Sequence, residues 1–235
     1  MISIIIPTLN EEKNISRVIS QFSKIKNLEI IIADGSSDDD TIKIAKKLGA
    51  KVFLNKRKTQ NIGKNRNLGA THAKGNILIF CDADTQFKNA KKAILNIESK
   101  FSSNNLLAGV PRLEIFPKEK KIQDFFFHSI FSFILKTSFK TKIPLASGQC
   151  QIIRKKIFRQ MKGYNSKMAV NEDAEIFERI SKKGQVKYFN DIIVYESPRR
   201  YRKKGYIYLG VLVLITNFFR KIFKKEIIKE WQRVE

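Results

Sequence analysis

Cysteine is nearly absent from this chain: Cys81 and Cys150 are the only two, and they form no Cys-x-x-Cys pair. That excludes a disulfide-stapled scaffold and the common zinc frameworks, and it reads as two buried free thiols in a reducing compartment. Histidine is as scarce. His72 and His128 lack partners at ligand spacing, so both read as structural. No run of about 20 apolar residues is present, which excludes a membrane span by the usual length criterion. The opening Met1-Ile2-Ser3-Ile4-Ile5-Ile6 has no basic start and runs into Pro7 and Glu11-Glu12, so it reads as a first strand rather than a secretory leader. Acid is missing from a long stretch: Phe125 to Asn171 holds no Asp or Glu and nine Lys or Arg.

What is present is a formal net charge of +24 over 235 residues, with 43% hydrophobic content, enough for one large domain. Arg199 to Glu235 adds eleven basic against three acidic residues, so the excess charge is concentrated in the back half. Such a field attracts an anionic partner: nucleic acid, a phosphorylated substrate or an acidic membrane surface.

The first hundred residues alternate strand and helix. Strands are predicted at Ser3–Ile6, Leu28–Ala33, Lys51–Leu54, in the apolar run Asn76–Cys81, and at Leu106–Val110. Helices are predicted at Glu11–Ile25 with Asn10 as a candidate cap, at Asp38–Leu48 stopped by Gly49, and at Asn61–Ala73. This alternation implies a mostly parallel α/β sheet with helices on both faces. Pro7-Thr8 follow the first strand, Asp34-Gly35-Ser36-Ser37-Asp38 the second, and Asp82-Ala83-Asp84 the fourth. Parallel topology brings all three groups to one sheet edge, where ligands bind in such folds. Two acids at a strand end suit a divalent cation holding a diphosphate, although turn chemistry alone also explains Asp-x-Asp.

Further on, a largely apolar helix is predicted over Asp124–Leu135, a strand over Ser147–Ile153, a short helix over Arg154–Met161, and a helix from Glu172 to Ile180 with Asn171 as its cap. Short strands at Val186–Phe189 and Ile192–Tyr195 precede the basic run Arg199 to Lys204. An apolar stretch, Tyr206 to Phe219, follows and ends in Arg220 to Lys225.

The segments Ile4-Ile5-Ile6-Pro7-Thr8-Leu9-Asn10-Glu11-Glu12, Asp34-Gly35-Ser36-Ser37-Asp38, Gly63-Lys64-Asn65-Arg66-Asn67-Leu68-Gly69, Asp82-Ala83-Asp84 and Glu172-Asp173 together resemble the family 2 glycosyltransferases. The resemblance covers residues 1 to 200 and implies a GT-A (Rossmann-like) domain there, with 201–235 as a C-terminal helical segment. It implies a nucleotide-sugar donor, UDP- or GDP-linked, a Mg²⁺ or Mn²⁺ ion, and inversion at the anomeric carbon. Carried over by motif, Pro7, Thr8, Glu11 and Asp34 line the nucleoside pocket, Arg66 faces it or braces Asp34, Asp82 with Ala83 approaches the ribose, and Asp84 with Asp82 takes the metal. Glu172-Asp173 resembles the family's Glu-Asp pair, with Asp173 as general base. The dipole of a helix N-terminus also accounts for acids there. Candidate phosphate or acceptor contacts are Arg112, Gly148, Gln149, Arg199, Arg200 and Arg202, with a surface salt bridge as the alternative for Arg112 and a solvated basic run as that for residues 199–204.

The two apolar helices, flanked by basic residues, suit an anionic bilayer surface, a dimer interface or ordinary core. Polyprenyl-phosphate glycosyltransferases place amphipathic helices similarly, and Tyr195-Glu196-Ser197 is similar to a segment of theirs. The expectation is a lipid-phosphate, lipid-linked or saccharide acceptor at the cytoplasmic face of the cell membrane, with the protein peripheral there. Two rival readings are a basic nucleic-acid-binding protein, against which the lack of a helix-turn-helix, zinc or RNP-type signature counts, and an inactive GT-A-like scaffold. A sugar nucleotidylyltransferase is disfavoured, because Pro7-Thr8-Leu9-Asn10 has no glycine where those enzymes carry a Gly-rich loop.

Overall fold

Isoleucine dominates the first strand, and burial explains why. The computed structural model describes residues 1–55, 61–141 and 143–223. β1 (Ile2–Thr8) is buried along its whole length, with Ile4 and Ile6 packing on one face of the sheet and Ile5 on the other. A strand covered on both faces needs a continuous apolar run rather than alternation. β2 (Leu28–Asp34), β3 (Lys51–Leu54) and β4 (Ile77–Cys81) run parallel to β1.

The helices between them close the two faces. α1 (Glu12–Ser20) buries Ile15, Val18 and Ile19, and α2 (Thr41–Lys47) buries Ala45. Both join the core layer of Ile4, Ile6 and Ile32. α3 (Ile62–His72) lies on the opposite face, so close that a Cβ on Gly69 would stand 2.4 Å from Ile5 Cγ2. The predicted helices are longer than the observed ones because α1 unwinds after Ser20 and Asp38–Asp40 form a turn rather than a first helical turn.

Beyond β4 come β5 (Gln86–Phe87), α4 (Ala90–Lys100), β6 (Leu106–Ile115), α5 (Ile122–Ser138), β7 (Cys150–Arg154), α6 (Lys155–Gln160), α7 (Glu172–Ser181), β8 (Gln185–Glu196), α8 (Arg199–Lys204) and α9 (Tyr206–Phe223). The eight strands form one sheet in the order β3-β2-β1-β4-β7-β6-β8-β5. β7 runs antiparallel to both β4 and β6, which places its first residue, Cys150, opposite Cys81, the last of β4. β6 is twice the predicted length, and it continues through Pro111 by means of a register shift: Pro111 pairs with Phe189, and Arg112 with Ile193. The two predicted short strands are therefore one strand, β8, that loops out between those positions.

A small cluster off the end of the sheet, Ile115, Tyr201 and Leu209 with Phe127 and Tyr206, joins α5, α8 and α9. Asp124 fixes it. The fully buried carboxylate accepts Lys121 N–H at 2.6 Å, Arg202 Nη2 at 3.1 Å and the Tyr206 hydroxyl. Burial raises the carboxyl pKa, but these donors outweigh it and hold the group below the usual carboxylate range. Among the described residues, no helix is long and apolar enough to cross a membrane. The second basic flank, Lys224 and Lys225 with the side chains of Arg220 to Phe223, lies outside what the structure describes.

Candidate active site

The carboxyl ends of β1 and β2 are in register, with Thr8 opposite Asp34. Asp34 is completely buried and accepts three hydrogen bonds: Thr8 Oγ1 and Ser37 Oγ donate to Oδ2 at 2.7 and 2.6 Å, and Ser37 N–H donates to Oδ1 at 2.7 Å. A carboxylate offers about four acceptor sites, so one remains on Oδ1. Asn10 and Ser36 take left-handed backbone conformations, φ 51° and 65°, and the Asn10 side chain accepts Asp38 N–H at 2.9 Å. Asn10 therefore clips two loops together and does not cap α1. Pro7 is buried beside Thr8, and Glu11 is half-buried at the start of α1, with its N–H donating to Thr41 Oγ1 at 2.7 Å.

Arg66 does not brace Asp34, contrary to one expectation. Asn61 caps α3 by accepting Lys64 N–H at 2.7 Å, and Arg66 lies about one turn further in with 1% of its surface exposed. Nη1 donates to Glu172 Oε1 at 2.8 Å. Nη2 donates to Asp82 Oδ1 at 3.0 Å and to the Gly148 carbonyl at 2.7 Å. The Tyr164 ring lies 5.5 Å away for a cation–π contact. One guanidinium thus ties the end of β4, the approach to β7 and the start of α7. Its Nε has no partner among the described residues.

The acids around it are crowded. Burial pushes the Asp82 carboxyl up to about 6, with Arg66 opposing and Asp84 adding to the rise. Burial raises Glu172 first and the charge of Asp173 raises it further, against Arg66. Asp173 is raised by burial and opposed by Arg66. Asp173 Oδ1 accepts Ala174 N–H at 2.7 Å, and Oδ2 rests over Gly148, where a Cβ would come within 2.9 Å. Glycine is needed there for the acid to occupy this position. Asn171, the expected cap of α7, makes no capping bond. It is left-handed at φ 59°, and its side chain accepts Asn217 Nδ2 at 3.1 Å. The first turn instead carries Glu172, Asp173 and Glu175, which suit the positive end of the helix.

Asp82 and Asp84 are both partly exposed on either side of buried Ala83. Arg199 Nη2 stands 3.5 Å from Asp84 Oδ2, and Arg17 donates to the Asp84 carbonyl at 3.4 Å. A third carboxyl, Glu196, ends β8 nearby. Burial pushes it up to about 8; a hydrogen bond from Tyr201 at 2.9 Å opposes the rise, and Asp84 and Asp82 add to it. Among the described residues, no three His, Cys, Asp or Glu form a cage able to hold a metal alone. Two open carboxylates suit Mg²⁺ or Mn²⁺ whose remaining ligands are phosphate oxygens and water. Asp84 already carries one cation, the guanidinium, so the residues present fit the ion.

The remaining candidates divide. The Gln149 carbonyl accepts Asp82 N–H at 3.0 Å, a backbone role. Arg200 lies close enough to lower the pKa of Asp82 and Glu196 by its charge. Arg112 lies inside β6 rather than after the strand, and pairs with Glu114 at 3.0 Å. Arg202 turns to Asp124 and the Glu119 carbonyl, bracing α8 against α5 rather than reaching for phosphate. Glu196, Gln151 and Tyr164 escaped the sequence analysis as site residues. Gln151 Nε2 reaches the Asp173 carbonyl at 3.4 Å, and its Oε1 accepts the Tyr164 hydroxyl. Glu196 carries the signal that marked Asp34 and Asp82, an acid at the end of an apolar strand.

Residues 3–162 match the family described as Glycosyl transferase family 2. Among curated proteins, the chain is 35% identical over 118 residues to a 4,4'-diaponeurosporenoate glycosyltransferase from Staphylococcus haemolyticus, covering 47% of this chain and 32% of that protein. It is 34% identical over 92 residues to a GalNAc(5)-diNAcBac-PP-undecaprenol beta-1,3-glucosyltransferase from Campylobacter jejuni, covering 36% and 30%. The alignments thus span about a third of the length of these two relatives. In structure it resembles the mannosyltransferase PcManGT from Pyrobaculum calidifontis, solved with GDP-Man and Mn²⁺, at a TM-score of 0.70 and 17% identity over all of this chain and 65% of that one. That likeness shows the fold, which is GT-A. The matched segment runs from β1 through α6 and holds Asp34, Arg66, Asp82 and Asp84; the chain belongs to glycosyl transferase family 2.

Proposed function

We propose that this chain transfers a sugar from a UDP- or GDP-linked donor to an acceptor at an anionic membrane surface, with inversion at the anomeric carbon and Mg²⁺ or Mn²⁺ on Asp82 and Asp84. The observation that carries the reading is the Arg66 junction, in which one guanidinium holds both Asp82, 16 residues on, and Glu172, 106 residues on, at the end of a strand next to β1, whose Thr8 meets Asp34. Pro7, Thr8, Glu11 and Asp34 bound the nucleoside end, and the remaining acceptor site of Asp34 is oriented by its three donors. When bound, the cation offsets charge on the leaving diphosphate. Asp173, its pKa raised but its charge supported by Arg66, takes the proton of an acceptor hydroxyl as that oxygen bonds to the anomeric carbon and the bond to the diphosphate breaks. An acceptor phosphate, already ionised, needs no such proton transfer, and Asp173 then positions it.

The acceptor side of the reading rests on α5 and α9. Phe127 of α5 packs against Tyr201 and Tyr206, and both helices turn apolar side chains outward: Ile130 is 62% exposed, Phe133 70% and Ile207 83%. The one acid of α5, Asp124, is buried, while Lys118, Lys120 and Lys121 precede the helix and Lys136 and Lys140 lie at its end. An apolar face rimmed by lysines suits lipid with anionic headgroups. The undecaprenol in one relative's name supports a lipid-linked acceptor. On this reading the protein is peripheral on the cytoplasmic face of the cell membrane, with residues 201–235 in the interfacial segment.

The test is thermal stabilisation by UDP and by GDP, with and without Mn²⁺, in wild type and Asp84→Ala. Stabilisation by one nucleotide that requires Mn²⁺ and disappears in Asp84→Ala is expected. Stabilisation by neither nucleotide overturns the reading.

A further inference from the structure

One cationic side chain already sits on the acid that the proposed function assigns to the metal. Arg199 Nη2 approaches Asp84 Oδ2 at 3.5 Å, at the long end for an ion pair, and both side chains are partly open, at 48% and 32% exposure. Asp82 and Asp84 repel each other there, and Arg199 is an ion-pair partner reaching Asp84 from α8. α8 does not depend on that pair for its position. Tyr201 is buried and donates to Glu196 at 2.9 Å, while Arg202 bonds Asp124 Oδ2 at 3.1 Å and the Glu119 carbonyl. Gly205, at φ 87°, then lets the chain turn into α9, whose Tyr206 bonds the same Asp124. The helix is fixed at its middle and far end; Arg199 reaches Asp84 from its first turn, while Arg200 acts by its charge on Asp82 and Glu196.

We infer that Arg199 is an internal counter-ion of Asp84 that a divalent cation must displace, so that this side chain sets the affinity of the site for bare metal. The inference rests on the assignment of the cation to Asp84. An exposed ion pair at this distance is weak and screened, so it lowers metal affinity modestly without closing the site. The pair also spares the empty site the full repulsion of its carboxyls. Because α8 is held elsewhere, the helix stays in place when Arg199 is displaced.

Direct Mn²⁺ binding, read by the loss of the free-ion paramagnetic resonance signal or by calorimetry, tests this without turnover. Four proteins are compared in the absence of nucleotide: wild type, Arg199→Ala, Lys203→Ala and Asp84→Ala. Lys203 is exposed on the same helix and controls for a general loss of positive charge. Arg199→Ala is expected to bind Mn²⁺ about threefold more tightly than wild type, Lys203→Ala to change far less, and Asp84→Ala to lose binding. Unchanged or weaker binding by Arg199→Ala overturns the counter-ion role while leaving the metal assignment intact. Equal tightening by Lys203→Ala overturns it too, in favour of a diffuse field. No Mn²⁺ binding by wild type, with or without UDP or GDP, overturns the metal assignment and the counter-ion role together. Far-ultraviolet circular dichroism establishes that each variant is folded.

Discussion

Arg66 and Glu172 meet at 2.8 Å in the protein interior, 106 residues apart in the chain. Breaking a buried pair strands the other charge, which costs about 3–5 kcal/mol. Arg66→Met should therefore lower the denaturant midpoint sharply, and Arg66→Lys only in part, because an ammonium cannot span Asp82, Glu172 and the Gly148 carbonyl at once. Equal stability of wild type and Arg66→Met would refute the junction.

Gly148→Ala places a methyl group 2.9 Å from Asp173 Oδ2. The carboxylate, at the far end of its side chain, must give by a few tenths of an ångström. As about 1 Å of misplacement costs about 10²-fold in rate, turnover should fall by less, about tenfold, while Mn²⁺-dependent stabilisation by nucleotide persists. Steady-state kinetics beside thermal shifts separates the two.

Asp173→Asn removes the proton acceptor while keeping the side chain's shape. A hydroxyl acceptor predicts a loss of about 10²–10⁴ in kcat with donor binding intact. A loss under tenfold identifies an acceptor that arrives already ionised.

Glu196 makes stability depend on pH. Its folded pKa, about 8, lies above the ordinary 4.5, so the folded protein binds more protons than the unfolded chain between those values. The contribution is fully present below pH 4.5 and is lost as pH rises toward 8. Chemical denaturation of metal-free protein should show this decline. Asp82, Glu172 and Asp173, also raised, add to the decline over the same range, so Glu196→Gln, which keeps an acceptor for Tyr201, should make it shallower; an unaltered profile assigns the slope to those groups.

Ile130→Glu with Phe133→Glu puts charge on the exposed face of α5. Because neither side chain is in the core, the melting temperature should hold, while flotation with anionic liposomes should drop several-fold. Undiminished flotation moves the lipid contact away from α5.

Much of the front half was legible because each of its signals is local. Consecutive isoleucines mark a strand buried on both faces, and Thr8, Asp34 and Asp82 stand just where apolar runs stop. The errors arose where distant contacts decide. Asn10 and Asn171 look like caps, but each takes a left-handed conformation and bonds a residue far along the chain, Asp38 and Asn217 respectively. Arg66 reads as a candidate brace for Asp34, but it turns to Asp82 and Glu172, and no local pattern records that Glu172 reaches it. Arg202 looked like its neighbours Arg199 and Arg200, but helical rotation turns it to Asp124. Pro111 reads as a strand end, but a register shift absorbs it.

The reversed direction of β7 has an evolutionary consequence. Because β6 and β7 are neighbours running in opposite directions, the chain from Ile115 to Cys150 leaves the sheet and re-enters it one strand away. A lineage can exchange most of that excursion without rethreading the sheet, provided Gly148 and Gln149 stay, because their carbonyls hold Arg66 and the Asp82 N–H at the end of β4. The exchange carries a second condition: whatever replaces α5 must bring its own counterpart to Asp124, or inherit α8 and α9 along with it. The exposed face of α5 can therefore change between lineages while the register of β1, β2 and β4 stays as it is.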